Sequence, residues 1–115
     1  MKYFINIRFN FEGFHKYDDA PKEVEYLKLK HRHLFYVEAK IEVFHNDREL
    51  EFIMVKNDLQ DFIKNEYKDK MVGSCEMIAL DLYGYILYKY GVNRLIEVKV
   101  YEDNENGGEV SNLYE

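Results

Sequence analysis

Cysteine, proline and tryptophan are scarce in this chain, with one Cys, one Pro and no Trp among 115 residues. A single thiol, Cys75, excludes an intrachain disulfide and gives no sign of an oxidising compartment, so stability has to come from packing. Basic residues are outnumbered, 16 against 22 acids for a formal net charge of -6, which disfavours the cationic face that phosphate-backbone binding needs. No nucleic acid partner is expected. Long apolar runs are lacking too. The N-terminal stretch interleaves Asn6, Arg8 and Asn10 with its apolar residues, and so reads as neither a signal peptide nor a membrane span. No membrane partner is expected, and the expected location is the cytoplasm.

Apolar and aromatic residues are plentiful. A hydrophobic content of 47% in a chain of this length supports one real core, so residues 1–115 read as a single domain. The 11 Tyr and 8 Phe suit half-buried sheets and subunit contacts and point to an oligomer.

Tyr3, Ile5, Ile7, Phe9 and Phe11 alternate with polar residues, the period-two pattern of a strand with one buried face. A loop through Lys30 follows, carrying Asp18-Asp19-Ala20-Pro21. A second strand is predicted from His31 to Phe44, with Phe35, Val37, Ala39, Ile41 and Val43 on one parity. His45–Arg48 reads as a hairpin turn, with Leu50–Val55 returning as an antiparallel partner. Asn57 or Asp58 is the expected N-cap of a helix reaching Lys70, and Ser74 the cap of a second, more hydrophobic helix that stops near Gly91. Arg94–Tyr101 is a further strand, and Asn106-Gly107-Gly108 turns into a last one over Val110–Tyr114. This order predicts an α+β fold whose two helices cover one face of an antiparallel sheet. If Tyr and Phe line the other face, subunits can close their sheets into a shared barrel and remove exposed edges.

His31 and His33 sit one residue apart at the start of a strand, so both imidazoles project from one side about 7 Å apart. His15 lies just beyond the first strand, which can bring it alongside. Three histidines are a set that holds zinc with an open fourth position. The same residues also fit a solvated basic patch with Lys28 and Lys30, His15 then being an unrelated loop residue. His45, in a turn, reads as a solvent residue.

The succession Phe11-Glu12-Gly13-Phe14-His15, His31-Arg32-His33, Ser74-Cys75-Glu76 and Val98-Lys99-Val100-Tyr101-Glu102 resembles the 6-pyruvoyl-tetrahydropterin synthase and 6-carboxy-tetrahydropterin synthase family over nearly the whole chain. The resemblance implies the tunnelling fold, in which ββααββ subunits assemble as trimers or hexamers whose sheets close into a barrel, with active sites at interfaces. It implies Zn2+ on His15, His31 and His33, and a pterin anchored by Glu102. Glu76 matches the glutamate at the start of the family's second helix and is a lesser substrate-binding candidate, since a carboxylate there also complements the helix dipole. The activity implied is a carbon-oxygen lyase acting on dihydroneopterin triphosphate or a related pterin, in tetrahydropterin or 7-deazaguanine (queuosine) biosynthesis.

The chain departs from the family at the acid-base groups. Residues 23–30 hold no thiol where the family places a cysteine. The Asp-His segment between the helices is deleted between Lys70 and Gly73, Val55-Lys56 replaces an Asp-Phe pair, and Arg32 stands for a glycine. Such groups contribute about 10²- to 10⁴-fold each. The alternative is therefore a noncatalytic or divergent member that binds a pterin or purine. Glu25 and Tyr26 are the nearest candidates for a replacement base.

Overall fold

The computed structural model describes residues 1–114 as a four-stranded antiparallel sheet with two helices packed on one face. In chain order the elements are β1 (Tyr3–His15), two 3-10 turns over Lys22–Lys28, β2 (His31–Val43), α1 (Phe52–Glu66), α2 (Cys75–Tyr90), β3 (Ile96–Glu102) and β4 (Gly107–Ser111). The strands lie in sequence order, β1-β2-β3-β4. The sheet and helix pair agree with the α+β expectation. No helix among the described residues is long and apolar enough to cross a membrane.

Alternation decides which face meets the helices. Ile7 and Phe9 on β1, Phe35, Val37, Ala39 and Ile41 on β2, and Ile96, Val98 and Val100 on β3 are buried together. They pack against Val55, Leu59 and Ile63 of α1 and Ile78, Ala79, Leu82 and Ile86 of α2. The spacing of four between the α1 residues keeps them on one stripe of the helix. Burying such side chains is worth about 1.5–3 kcal/mol each, which makes this layer the main source of stability.

The other sheet face is dominated by charge. Arg8 pairs with Glu38 at 3.1 Å and Arg32 with Glu12, while Phe4 and Phe14 each lie beneath a lysine. Much of the tyrosine content serves the helices, since Tyr67, Tyr83, Tyr85 and Tyr90 pack against the core. The Tyr85 and Tyr90 hydroxyls donate to Asp58 at 2.6 and 2.5 Å, bracing α1 against α2.

Three sequence expectations are corrected. Leu50–Val55 is no strand, because α1 already starts at Phe52, and Asn57 and Asp58 lie inside the helix rather than capping it. The cap is Glu51, whose carboxylate accepts from the amides of Ile53 and Met54 at 2.8 and 3.2 Å. Phe52, Ile53 and Met54 look like a buried strand in sequence but form the exposed first turn. The last hairpin turns at Asp103–Asn106, with Gly107 and Gly108 inside β4. A Cβ on Gly107 would fall 2.0 Å from the Val100 carbonyl oxygen, so glycine marks a close approach between the strands.

The chain leaving β2 is fastened to the start of β3 by Arg94. Its guanidinium donates to both oxygens of Glu49 at 2.9 and 2.6 Å and to the Glu42 carbonyl at 2.9 Å, and its Nε donates to the Tyr90 carbonyl. This fork holds the Glu49 carboxyl down to about 2 from its ordinary 4.5, against the opposing effect of burial. A carboxylate whose value is lowered by folding stabilises the fold above its unfolded value and loses that contribution as pH falls. Acid titration followed by circular dichroism is expected to show stability falling between pH 4.5 and about 2. Glu49→Gln is expected to cost about 3 kcal/mol in urea denaturation at pH 7, since it strands the buried Arg94 charge, and to flatten that acid dependence.

Candidate metal centre

At one end of the sheet the helix-facing stripe changes from aliphatic to imidazole. Register pairs His15 with His31 and Gly13 with His33, and places Glu102 opposite Phe35, so these side chains share the parity of the core. The three rings stack edge to face, with centroids 4.5 Å apart for His15 and His31, 5.1 Å for His15 and His33, and 4.8 Å for His31 and His33. One ring nitrogen from each lies within 4.8 Å of the others. Arg32, between the two β2 histidines, points to the opposite face and pairs with Glu12, so its side chain stays out of the cluster.

All three Nδ1 atoms are engaged with acceptors. His15 Nδ1 faces the Gly73 carbonyl at 3.2 Å, His31 Nδ1 the Leu29 carbonyl at 2.7 Å, and His33 Nδ1 the Asp103 carboxylate at 2.7 Å. An Nδ1 that donates to such an acceptor leaves Nε2 as the nitrogen of each ring that could ligate. His33 Nε2 is buried with no hydrogen-bond partner among the described residues. The Glu102 carboxylate adds negative charge, with Oε1 3.3 Å from His15 Nε2 and Oε2 3.6 Å from His33 Nε2.

Three imidazoles this close, with a carboxylate beside them, are a donor set that one divalent cation could share, and imidazole nitrogen suits zinc. The residues present thus fit a metal, and the three candidates singled out in the sequence meet at one point.

The backbone around them is tethered. Val72 N donates to the Phe14 carbonyl at 2.8 Å, which holds the segment before α2 against the end of β1. Ser74 then caps α2, accepting from Met77 N at 3.2 Å. Beneath the rings lies Phe35, fully buried, with centroids 5.5 Å from His15 and 6.0 Å from His33.

A cavity of about 580 Å3 opens beside the cluster, lined in part by His15, His31, Glu76, Glu102, Tyr17 and Leu27. Glu76 lies over Gly108, where an added Cβ would come within 2.7 Å of its Cγ. Both carboxylates singled out in the sequence thus face one space. Glu25 and Tyr26 are exposed and do not line it. Cys75 does line it, but burial and the nearby Glu102 and Glu76 charges push its thiol up to about 11, which keeps it protonated at neutral pH. Sequence reasoning missed Tyr17, whose loop position carries no pattern, and Asp103, which looks like an ordinary turn residue. The His33 hydrogen bond, with help from the Leu34 amide, holds the Asp103 carboxyl below its ordinary range.

A Cβ at Gly13 would lie 2.9 Å from the Phe35 ring and 3.2 Å from Val72, both buried. Gly13→Ala is expected to lower stability by about 1–3 kcal/mol in thermal denaturation. Cys75 is expected to resist a thiol reagent such as DTNB at pH 7.5 in the native protein and to react fully once guanidinium unfolds it.

Neither a family model nor a curated protein matches this chain in sequence.

Proposed function

We propose that this chain is a zinc-dependent protein of the 6-pyruvoyl/6-carboxy-tetrahydropterin synthase type, with a pterin or a related heterocycle held beside the metal. The observation that carries the reading is the convergence of three imidazoles whose Nδ1 atoms are all engaged and which each bring one ring nitrogen within 4.8 Å of the others. His15, His31 and His33 would hold the zinc. When bound, zinc polarises a hydroxyl or carbonyl, or lowers the pKa of a bound water to about 7.

The remaining work falls to the chain's own side chains. Glu102 and Glu76 offer acceptors to a planar ring with adjacent N–H donors, and a carboxylate engages such a pair in bidentate fashion with charge assistance. Tyr17 and Leu27 supply less polar wall on the same cavity. Anchoring the ring fixes which part of its side chain meets the metal, so any proton removal is directed to one atom.

A second reading, a family member that binds its ligand without turning it over, is favoured by the protonated, buried state of Cys75 and by the position of Glu25 and Tyr26 outside the cavity. Assembly is part of the proposal. β1 is a 13-residue edge strand and β4 an edge of 5, and closing such edges against a neighbouring copy would form the shared barrel and complete the cavity at an interface.

Elemental analysis of protein purified without chelators is expected to give one zinc per chain, with His31→Ala and His33→Ala losing it while light scattering reports a trimer or hexamer. Metal-free wild type that takes up no added zinc would sink the reading. Incubation with dihydroneopterin triphosphate separates enzyme from binder: product formation supports the lyase. Binding without product, abolished in Glu102→Gln, supports the binder.

A further inference from the structure

We infer that Asp103 is a positioning residue that holds the His33 imidazole with Nε2 facing the centre of the cluster; its bearing on metal affinity rests on the metal reading above, whereas its effect on the ring itself does not.

Asp103 follows β3 directly, in the left-handed region at φ 51, with Asn104 next to it at φ 60. Aspartate and asparagine tolerate this conformation, which on its own would make Asp103 a turn former. Its bonds run elsewhere. Oδ2 accepts from His33 Nδ1 at 2.7 Å, Oδ1 accepts from Leu34 N at 3.1 Å, and its own amide donates to the Leu34 carbonyl at 2.7 Å. All three reach across to β2. A carboxylate held at both oxygens, on a backbone pinned at the same residue, cannot rotate away without breaking several bonds together.

His33 is thereby set apart from its two neighbours. His15 and His31 are oriented by backbone carbonyls, of Gly73 and Leu29, which no side-chain substitution removes. Of the three Nδ1 atoms, only that of His33 is held by a side chain, and that side chain is an anion. A carboxylate on the far nitrogen fixes the tautomer, restricts ring rotation and makes the other nitrogen a stronger ligand. The groups that face the ring from other directions are Phe35 beneath it, His15 and His31 at its edges and Glu102 near Nε2, and none of these offers Nδ1 an acceptor.

The test has one arm without metal and one with it. Long-range 1H–15N correlation spectra of the metal-free protein, recorded at a pH where the imidazoles are neutral, are expected to show His33 as the Nδ1–H tautomer in the wild type. In Asp103→Ala its population is expected to move toward Nε2–H, while His15 and His31 keep theirs. Zinc affinity, measured by competition with a chromophoric chelator, is expected to fall 10- to 100-fold in Asp103→Ala. Asp103→Asn keeps the left-handed backbone and a neutral acceptor, which guards against a variant that fails to fold, and is expected to fall between the two. The Co2+ absorption spectrum is expected to change with the same ranking. An unchanged His33 tautomer together with wild-type zinc affinity in both variants would overturn the proposal. A tautomer shift in protein that takes up no zinc supports Asp103 as the positioning residue and counts against the metal reading instead.

Discussion

Antiparallel pairing between β1 and β2 is the constraint on which the rest of the molecule depends. It runs from Tyr3 opposite Val43 to His15 opposite His31, and a slip of one residue would turn every core side chain to the other face. The same register that buries Ile7 against Ala39 and Phe9 against Val37 brings His15 beside His31 and His33. The cluster and the core are consecutive stretches of one surface, so weakening the first ladder would disperse both.

Two later parts of the chain complete that surface. The segment before α2 lies over the end of β1, so Gly73 meets His15 while Ser74 starts the helix that covers β3 and β4. The β3–β4 hairpin comes from the other side, setting Glu102 near the rings and Asp103 behind one of them. Residues far apart in sequence therefore meet through backbone registers and caps rather than through long flexible loops, and a site built this way is positioned as firmly as the sheet itself.

The sequence made the strands and the second helix legible because their signals are local. Alternation over Tyr3–Phe11 and Phe35–Val43 marks the buried face, and Ser74 and Gly91 bracket α2. The start of α1 was obscured because glutamate is an uncommon cap and because three exposed apolar residues follow it. The histidine trio was legible through spacing and parity. Asp103 was not, since its meaning comes from a partner 70 positions away, and neither was the raised thiol of Cys75, which depends on burial and on two neighbouring carboxylates. Tyrosine content was misleading in detail, because several tyrosines brace the helices instead of covering the open sheet face.

Phe35 gives the cluster one more property. With no exposed surface, and pressed between Gly13 and the edges of two imidazoles, it closes the cluster from beneath. Under the proposed metal reading, a cation held by rings from two paired strands would tie the ends of β1 and β2 together, and free metal concentration would then set how firmly those strand ends stay closed.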